Sequence, residues 1–225
     1  MISHKYRCIF VHIPKSAGTS IAHKLDLHAH GRKRAHDHRS IKALRPVDAR
    51  LLLEFYRIDN VRLLCQKLNY KFREGRPGVS ESQFQEYFKF TFIRNPWARV
   101  HSWHRNILND SQHMLTYDVP ENASLAWFVQ NRISTLLPQV EYIRDWHADP
   151  ALDFIGRYEN LYSDFAHVCS ELGVADPTLP QKMRIGTPLY TESYDQHSID
   201  LVATHFKEDI RRFGFEYGET LQKVS

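Results

Sequence analysis

The segment YRCIFVHIPKSAGTSIAHKLDL, residues 6–27, changes character twice. Tyr6–Ile13 is β-branched and aromatic with no polar alternation, the pattern of a strand buried on both faces of a parallel sheet. Pro14 stops it, and Thr19–Leu27 then reads as a helix with Thr19 or Ser20 near its cap. A strand that turns through such a loop into a helix can hold an anion, because the first backbone N–H groups of a helix lack partners and its dipole favours negative charge. Lys15 adds a point charge, Ser16, Thr19 and Ser20 add hydroxyls, and Gly18 lets the chain approach closely. The nucleotide P-loop, G-x-x-x-x-G-K-[ST], does not fit: here the lysine precedes the glycine, the first glycine is missing, and no strand ending in an aspartate for magnesium is evident. A capped turn with a surface lysine is the plainer alternative.

A second strand and loop follow in FKFTFIRNPWARVHSW, residues 88–103. Phe88–Ile93 reads as another buried strand, and the helix after it has Asn95 as N-cap and Pro96 at its first position. Arg94 ends the strand, where a lone charge is costly unless it meets an anion. Asn95, Arg99 and Ser102 recur on one helical face. Arg94 and Ser102 can therefore converge on one phosphate; pairing of Arg94 with Glu159 is the competing reading. Both loops lie at strand carboxyl ends, where open α/β sheets bind ligands.

Elsewhere, helices are expected at Ser40–Leu44, Val47–Ile58, Glu81–Phe88, Ser124–Ser134, Pro138–His147 and Tyr162–Gly173, with a third strand in Leu152–Leu161. Ser198–Tyr217 reads as one terminal amphipathic helix with Gly214 at its end. Alternating strands and helices imply a single α/β domain over residues 1–225, a central parallel sheet flanked by helices. The 225 residues are 42% hydrophobic and 25% charged, with a net charge of +4, which suits a soluble protein with an anionic ligand and not a nucleic-acid binder. No apolar run nears the ~20 residues that cross a bilayer, and the first residues have too short an apolar stretch for a signal peptide. Cys8, Cys65 and Cys169 are odd in number and widely spaced, so reduced, buried thiols in the cytoplasm are expected.

Taken together, IPKSAGTSI, FIRNPWARVHSW, FIGRYENLYSDF and LVATHFKEDIRRFGFEY resemble the sulfotransferases that use 3′-phosphoadenosine-5′-phosphosulfate (PAPS), in the branch of the carbohydrate 2-O-sulfotransferases and small bacterial relatives. The resemblance implies a three-layer, P-loop-like fold with PAPS as donor and no metal. It implies that Lys15, Ser16, Ala17, Gly18, Thr19 and Ser20 cradle the 5′-phosphosulfate and that Arg94 and Ser102 hold the 3′-phosphate. Arg184 and Thr187, in QKMRIGTPLY, resemble a loop that closes over the cofactor. Segment 47–80 matches nothing in that family, and the membrane anchor of golgi members is not expected here.

Sulfuryl transfer to an alcohol needs a base, and His suits neutral pH. The chain has 14 His. His36-x-His38, just before a helix and between the two loops in sequence, resembles the H-x-H of glycosaminoglycan 2-O-sulfotransferases, which implies His38 as base and His36 as its acceptor-positioning partner. The same pair could ligate a metal or belong to a solvated basic loop. His101 and His104 are expected to cover the cleft's surface, and His12 to pack in the core. Arg32, Lys33, Arg34 and Arg39 are expected to border the acceptor cleft and to favour a hydroxyl acceptor, carbohydrate in type, that already carries carboxylate or sulfate. Two other classes stay open: a nucleotide kinase using ATP and magnesium, and a catalytically idle module that binds the product adenosine 3′,5′-bisphosphate (PAP).

Overall fold

Four strands, β1 (Ile2–Ser3), β2 (Cys8–Val11), β3 (Phe88–Ile93) and β4 (Phe154–Arg157), lie side by side in that order. The structure, a computed structural model, describes residues 1–27, 37–46, 61–62, 64–65, 67, 69, 78–144, 151–179 and 189–219, and counts of elements refer to these. β2, β3 and β4 run parallel, with Phe10 opposite Phe90 and Phe90 opposite Phe154. β1 turns back antiparallel on β2, pairing Ile2 with Ile9, so the sheet is mixed where a purely parallel one was expected. The added strand is two residues long and covers an edge that would otherwise stand open.

Continuous apolar strands have both faces to cover, and helices cover them. On one face Cys8, Phe10, Phe90 and Phe92 pack with Ile21 of α1 (Gly18–Lys24) and Phe165 of α8 (Leu161–Glu171). On the other, Ile9, Val11 and Ile93 join a larger cluster with Val100 and Ile107 of α4 (Pro96–Leu108). That cluster continues through Phe128 of α6 (Leu125–Arg132) and Val202 of α9 (Gln196–His205). Each such side chain, fully buried, contributes about 1.5–3 kcal/mol. The result is the three-layer α/β architecture read from the sequence.

Shorter helices fill the connections: α2 (Ile41–Leu44), α3 (Glu81–Glu86), α5 (Ser111–Tyr117), α7 (Val140–Ile143) and α10 (Lys207–Phe213). Caps explain several boundaries. Ser80 and Gln83 form a reciprocal capping box that starts α3. Asn95 accepts from the N–H groups of Trp97 and Ala98, with Pro96 at the first helical position, as expected for α4. The expected terminal helix is instead two, broken at Phe206. The break lets the Phe206 ring enter the core and brings the buried Asp209 carboxylate to the first N–H groups of α7, accepting from Gln139 at 2.8 Å and Val140 at 2.9 Å. The helix expected at Val47–Ile58 lies outside the described residues. Cys65 is exposed, whereas Cys8 and Cys169 are buried as expected, and all three are free thiols.

Candidate active site

β2 ends at Val11, and the chain enters the first loop through His12, Ile13 and Pro14. Lys15 at φ 69° and Ala17 at φ 62° both adopt left-handed backbone, which costs a non-glycine residue about 1–3 kcal/mol and concentrates at functional loops. Ala17, not Thr19 or Ser20, is therefore the cap, and α1 begins at Gly18. The hydroxyls expected to cap are left at the mouth of a cleft lined by Ala17, Gly18, Thr19 and Ser20. Ser16 differs: its side chain is buried, its Oγ has no hydrogen-bond partner, and it does not line the cleft.

Gly18 is required by its neighbour more than by a ligand. A Cβ there would stand 1.8 Å from Cδ2 of His12. His12 is buried and stacked on Phe10, as expected of a packed core histidine, and it also lines the cleft, 4.3 Å from the ring of His38.

The ammonium of Lys15 reaches Oδ1 of Asn106 at 2.7 Å. Burial, and secondarily the nearby Arg94 charge, lower its pKa to about 8. Arg94 lies at the end of β3. Its peptide is clamped by Gln139, which accepts from Arg94 N at 2.8 Å and donates to Arg94 O at 2.8 Å. Its guanidinium stacks on Tyr158 at 3.9 Å and donates through Nη1 to the main-chain carbonyl of Lys15 at 3.1 Å. Arg94 Nε is buried with no hydrogen-bond partner among the described residues. Burial lowers the pKa of Arg94. The alternative pairing with Glu159 is not made: that carboxylate accepts from Asn95 N at 2.8 Å.

Arg99 falls on the predicted helical face but does not reach the cleft. It is fully buried, with Nε on the carbonyl of Pro14 at 3.0 Å and Nη1 on that of Leu137 at 2.9 Å, so it fastens the first loop from behind. Ser102, one turn on, does line the cleft, and so does Asn106 after it. The spacing Asn95, Arg99, Ser102, Asn106 is one helical stripe, and extending it by one turn was the signal that would have found Asn106. Nothing local marks Gln139 or Asp209, whose roles depend on long-range packing. Tyr158 lies within FIGRYENLYSDF, and no local pattern there marks it as the residue on which Arg94 stacks.

His38 is exposed between two buried neighbours, Asp37 and Arg39, as an extended chain dictates. Its Nδ1 lies 3.0 Å from the carbonyl of His12. A carbonyl only accepts, so Nδ1 carries the proton and the neutral ring keeps its lone pair on Nε2. Arg39, expected to border the acceptor cleft, is instead buried and forked onto Asp37, with Nε and Nη2 at 2.9 and 2.8 Å from its oxygens. The carboxylate two residues away takes it out of the cleft. His36, Arg184, Thr187, Arg32, Lys33 and Arg34 lie outside the described residues. His101 and His104 do not cover the cleft; both are buried, and His104 bonds the Ala123 carbonyl at 2.8 Å. Burial first, then Arg105, takes the pKa of His101 down to about 4.

The cleft encloses about 630 Å³, and among the described residues no aspartate or glutamate lines it. Among the described residues no cluster of three or more His, Cys, Asp or Glu is placed to hold a metal, and no helix is long and apolar enough to cross a membrane. An α/β fold with cations at the ends of two adjacent parallel strands defines an anion-binding class of protein. Residues 1–139 match the sulfotransferase family, which is more than half of the chain, and the chain belongs to that family. It is a transferase of the sulfuryl-transferring kind. It is also similar to a protein of Archaeoglobus fulgidus described as uncharacterized, with 33% identity over 105 residues, 45% of this chain and 80% of that one. No solved structure matches.

Proposed function

We propose that the cleft binds PAPS and transfers its sulfuryl group to a hydroxyl of a carbohydrate-type acceptor, by in-line displacement without a metal. The observation that carries this reading is the bond between Arg94 and the Lys15 carbonyl: two half-buried cations, on adjacent strand ends, face one cleft that no carboxylate lines among the described residues. The residues fit the donor. Arg94, with its unpartnered Nε, and Ser102 offer a site for the 3′-phosphate. Lys15, Thr19 and Ser20 offer one for the phosphosulfate, and Tyr158 extends the wall beyond Arg94 for the adenosine.

In the transfer, His38 Nε2 takes the acceptor's hydroxyl proton while the acceptor oxygen bonds to sulfur and the bond from sulfur to the bridging phosphate oxygen breaks. Lys15 neutralises the charge that develops on that departing oxygen. His36 is proposed as the acceptor-positioning partner of His38, and Arg184 and Thr187 as donor contacts from a closing loop. The reading carries with it one domain over residues 1–225, working in the cytoplasm without a nucleic-acid partner.

Thermal shift against PAP, AMP and ATP, in excess chelator, is the first test. A ligand at 100 times its Kd stabilises by about 2.7 kcal/mol. PAP should shift the transition strongly, AMP weakly, and ATP no better than AMP. An equal response to AMP and PAP would remove the 3′-phosphate site. Transfer seen with ATP and magnesium only would replace the reading with a kinase. PAP binding with no acceptor ever labelled would point to a binding module.

A further inference from the structure

The Lys15 ammonium rests on a side chain that is itself held by another. Asn106 lies on α4, one turn past Ser102, half-buried and lining the cleft. Its Oδ1 accepts from Lys15 Nζ at 2.7 Å, and its Nδ2 lies 3.1 Å from Nδ1 of His113. His113 belongs to α5, the short helix packed against α4. An amide N–H only donates, so Nδ1 accepts and the imidazole is neutral in this arrangement. Asp110 stands behind the ring: its Oδ1 accepts from the main-chain N–H of His113 at 3.3 Å. Asp110 Oδ2, 3.3 Å from Nδ1, would accept from that nitrogen only in a charged ring. The rings of Trp103 and Tyr117 pack near that of His113, at 5.9 and 6.0 Å.

The two ends of an amide are nearly equal in shape, and only one of them suits an ammonium. Turned over, Asn106 would set N–H groups against Lys15 Nζ, donor against donor. The bond to His113 decides between the two, because Nδ1 offers a lone pair and nothing to donate. A neutral acceptor also suits the place better than an acid. An aspartate at 106 would hold the ammonium more strongly, but it would bring negative charge to the point where an anion must bind. We infer that Asn106, with its amide set by His113, is a positioning residue that holds Lys15 in its charged form for the donor. The inference rests on the sulfotransferase reading for what Lys15 does, and not for how Lys15 is held.

The test reads Lys15 in the ligand-free, full-length protein, by NMR of isotope-labelled lysine side chains titrated through the lysine range. The Lys15 signal is identified by its loss in Lys15→Met. The titratable groups around Lys15 are Arg94 at the end of β3, His12 and His38 in the same cleft, His113 and Tyr117 on α5 with Asp110 behind, and Tyr142 on α7. All are common to variants at position 106, so differences among those variants read that position alone. Burial, and then Arg94, place the starting midpoint at about 8. Asn106→Leu should lower it by about one pH unit, as for one lost hydrogen bond to a charged group. Asn106→Asp should raise it by about one pH unit or more, as for an opposite charge brought close. His113→Phe keeps a ring beside Trp103 and Tyr117 but offers the amide no lone pair, and it should move the midpoint down, by less than Asn106→Leu. A merely structural role would not send the two Asn106 substitutions in opposite directions. In calorimetry, the pH at which PAP affinity begins to fall should follow the midpoint in each variant. An unmoved midpoint in Asn106→Leu, shifts of one sign in both Asn106 substitutions, or an unchanged midpoint in His113→Phe overturns the inference. Midpoints that move as expected while PAP affinity ignores them would overturn the donor reading and leave the hold of Asn106 on Lys15 standing.

Discussion

Arg94 donates to the main-chain carbonyl of Lys15 at 3.1 Å, so the carboxyl ends of β2 and β3 are joined by the same side chain that faces the cleft. The clamp of Gln139 on the Arg94 peptide and the bond from Arg99 to Pro14 fix the same junction from behind. Two cations that repel one another are held together by backbone carbonyls and side-chain amides, not by acids. The geometry is prepared for negative charge before any arrives.

Arg94→Lys should therefore be far from conservative. The substitution removes the planar fork and with it both the bond to Lys15 O and the donor at Nε. We expect PAP to bind at least tenfold more weakly, in keeping with the roughly 1.5–3 kcal/mol of a hydrogen bond to a charged group. AMP, which lacks the 3′-phosphate, should lose much less. Calorimetric titration of both nucleotides checks it, and equal losses for the two would assign Arg94 to the loop alone.

Gly18→Ala probes the floor under the base. Its Cβ would fall 1.8 Å from Cδ2 and 1.9 Å from Nε2 of His12, a ring held between Phe10 and His38. Forced repacking of this kind costs about 1–3 kcal/mol. For a chain of this length that lowers Tm by about 2–4 °C for each kcal/mol. Turnover should fall as well, because the His12 carbonyl orients His38. An unchanged Tm with full turnover would mean the ring yields freely.

The sheet was legible in the sequence because Tyr6–Ile13 and Phe88–Ile93 are short, apolar and bounded by Pro14 and Asn95-Pro96, so local chemistry and tertiary demand agree. The observed β3 has the predicted bounds, and α4 begins where its cap and proline say. The two-residue β1 was not legible, since so short a segment has no period. Nor was the break at Phe206, where burial of one ring and of Asp209 overrides a continuous amphipathic pattern. In the site, the positions of Lys15, Arg94 and Ser102 followed from the strand–loop–helix grammar, whereas the place of Arg39 did not. A basic run in a sequence shows charge but not the acid, here Asp37, that a given arginine will meet once folded.

For His38 the tautomer makes a sharp case. With Nδ1–H donated to the His12 carbonyl, Nε2 is the basic nitrogen of a ring that lines the cleft. His38→Ala should lower kcat by about 10²–10⁴-fold, the range for loss of a positioned general base. The Tm and the PAP-induced shift should change little, because Asp37 and Arg39, not His38, anchor that stretch. The acid limb of the pH–rate profile should disappear in the variant. A variant that keeps its rate would transfer the base to another group in the cleft.

The pH dependence of donor binding follows from Lys15, whose folded pKa of about 8 lies below the ordinary lysine value of 10.5. The sign is fixed by which state holds the proton. Between those two values the unfolded chain keeps the proton and the free folded protein releases it, so the folded protein gains stability as pH rises. An anion beside Lys15 favours the charged form, so PAP binding should take up a proton there, and its affinity should be level below about pH 8 and fall by up to tenfold per unit above it. Calorimetry at about pH 9 in two buffers of different ionisation enthalpy reads that proton directly. Lys15→Met should abolish the uptake and flatten the slope, and it should also lower kcat by on the order of 10²-fold through loss of one preorganised charge. PAP affinity that stays constant from neutral pH to the lysine range, or a Lys15→Met enzyme that keeps both the slope and the rate, would place the phosphosulfate away from Lys15.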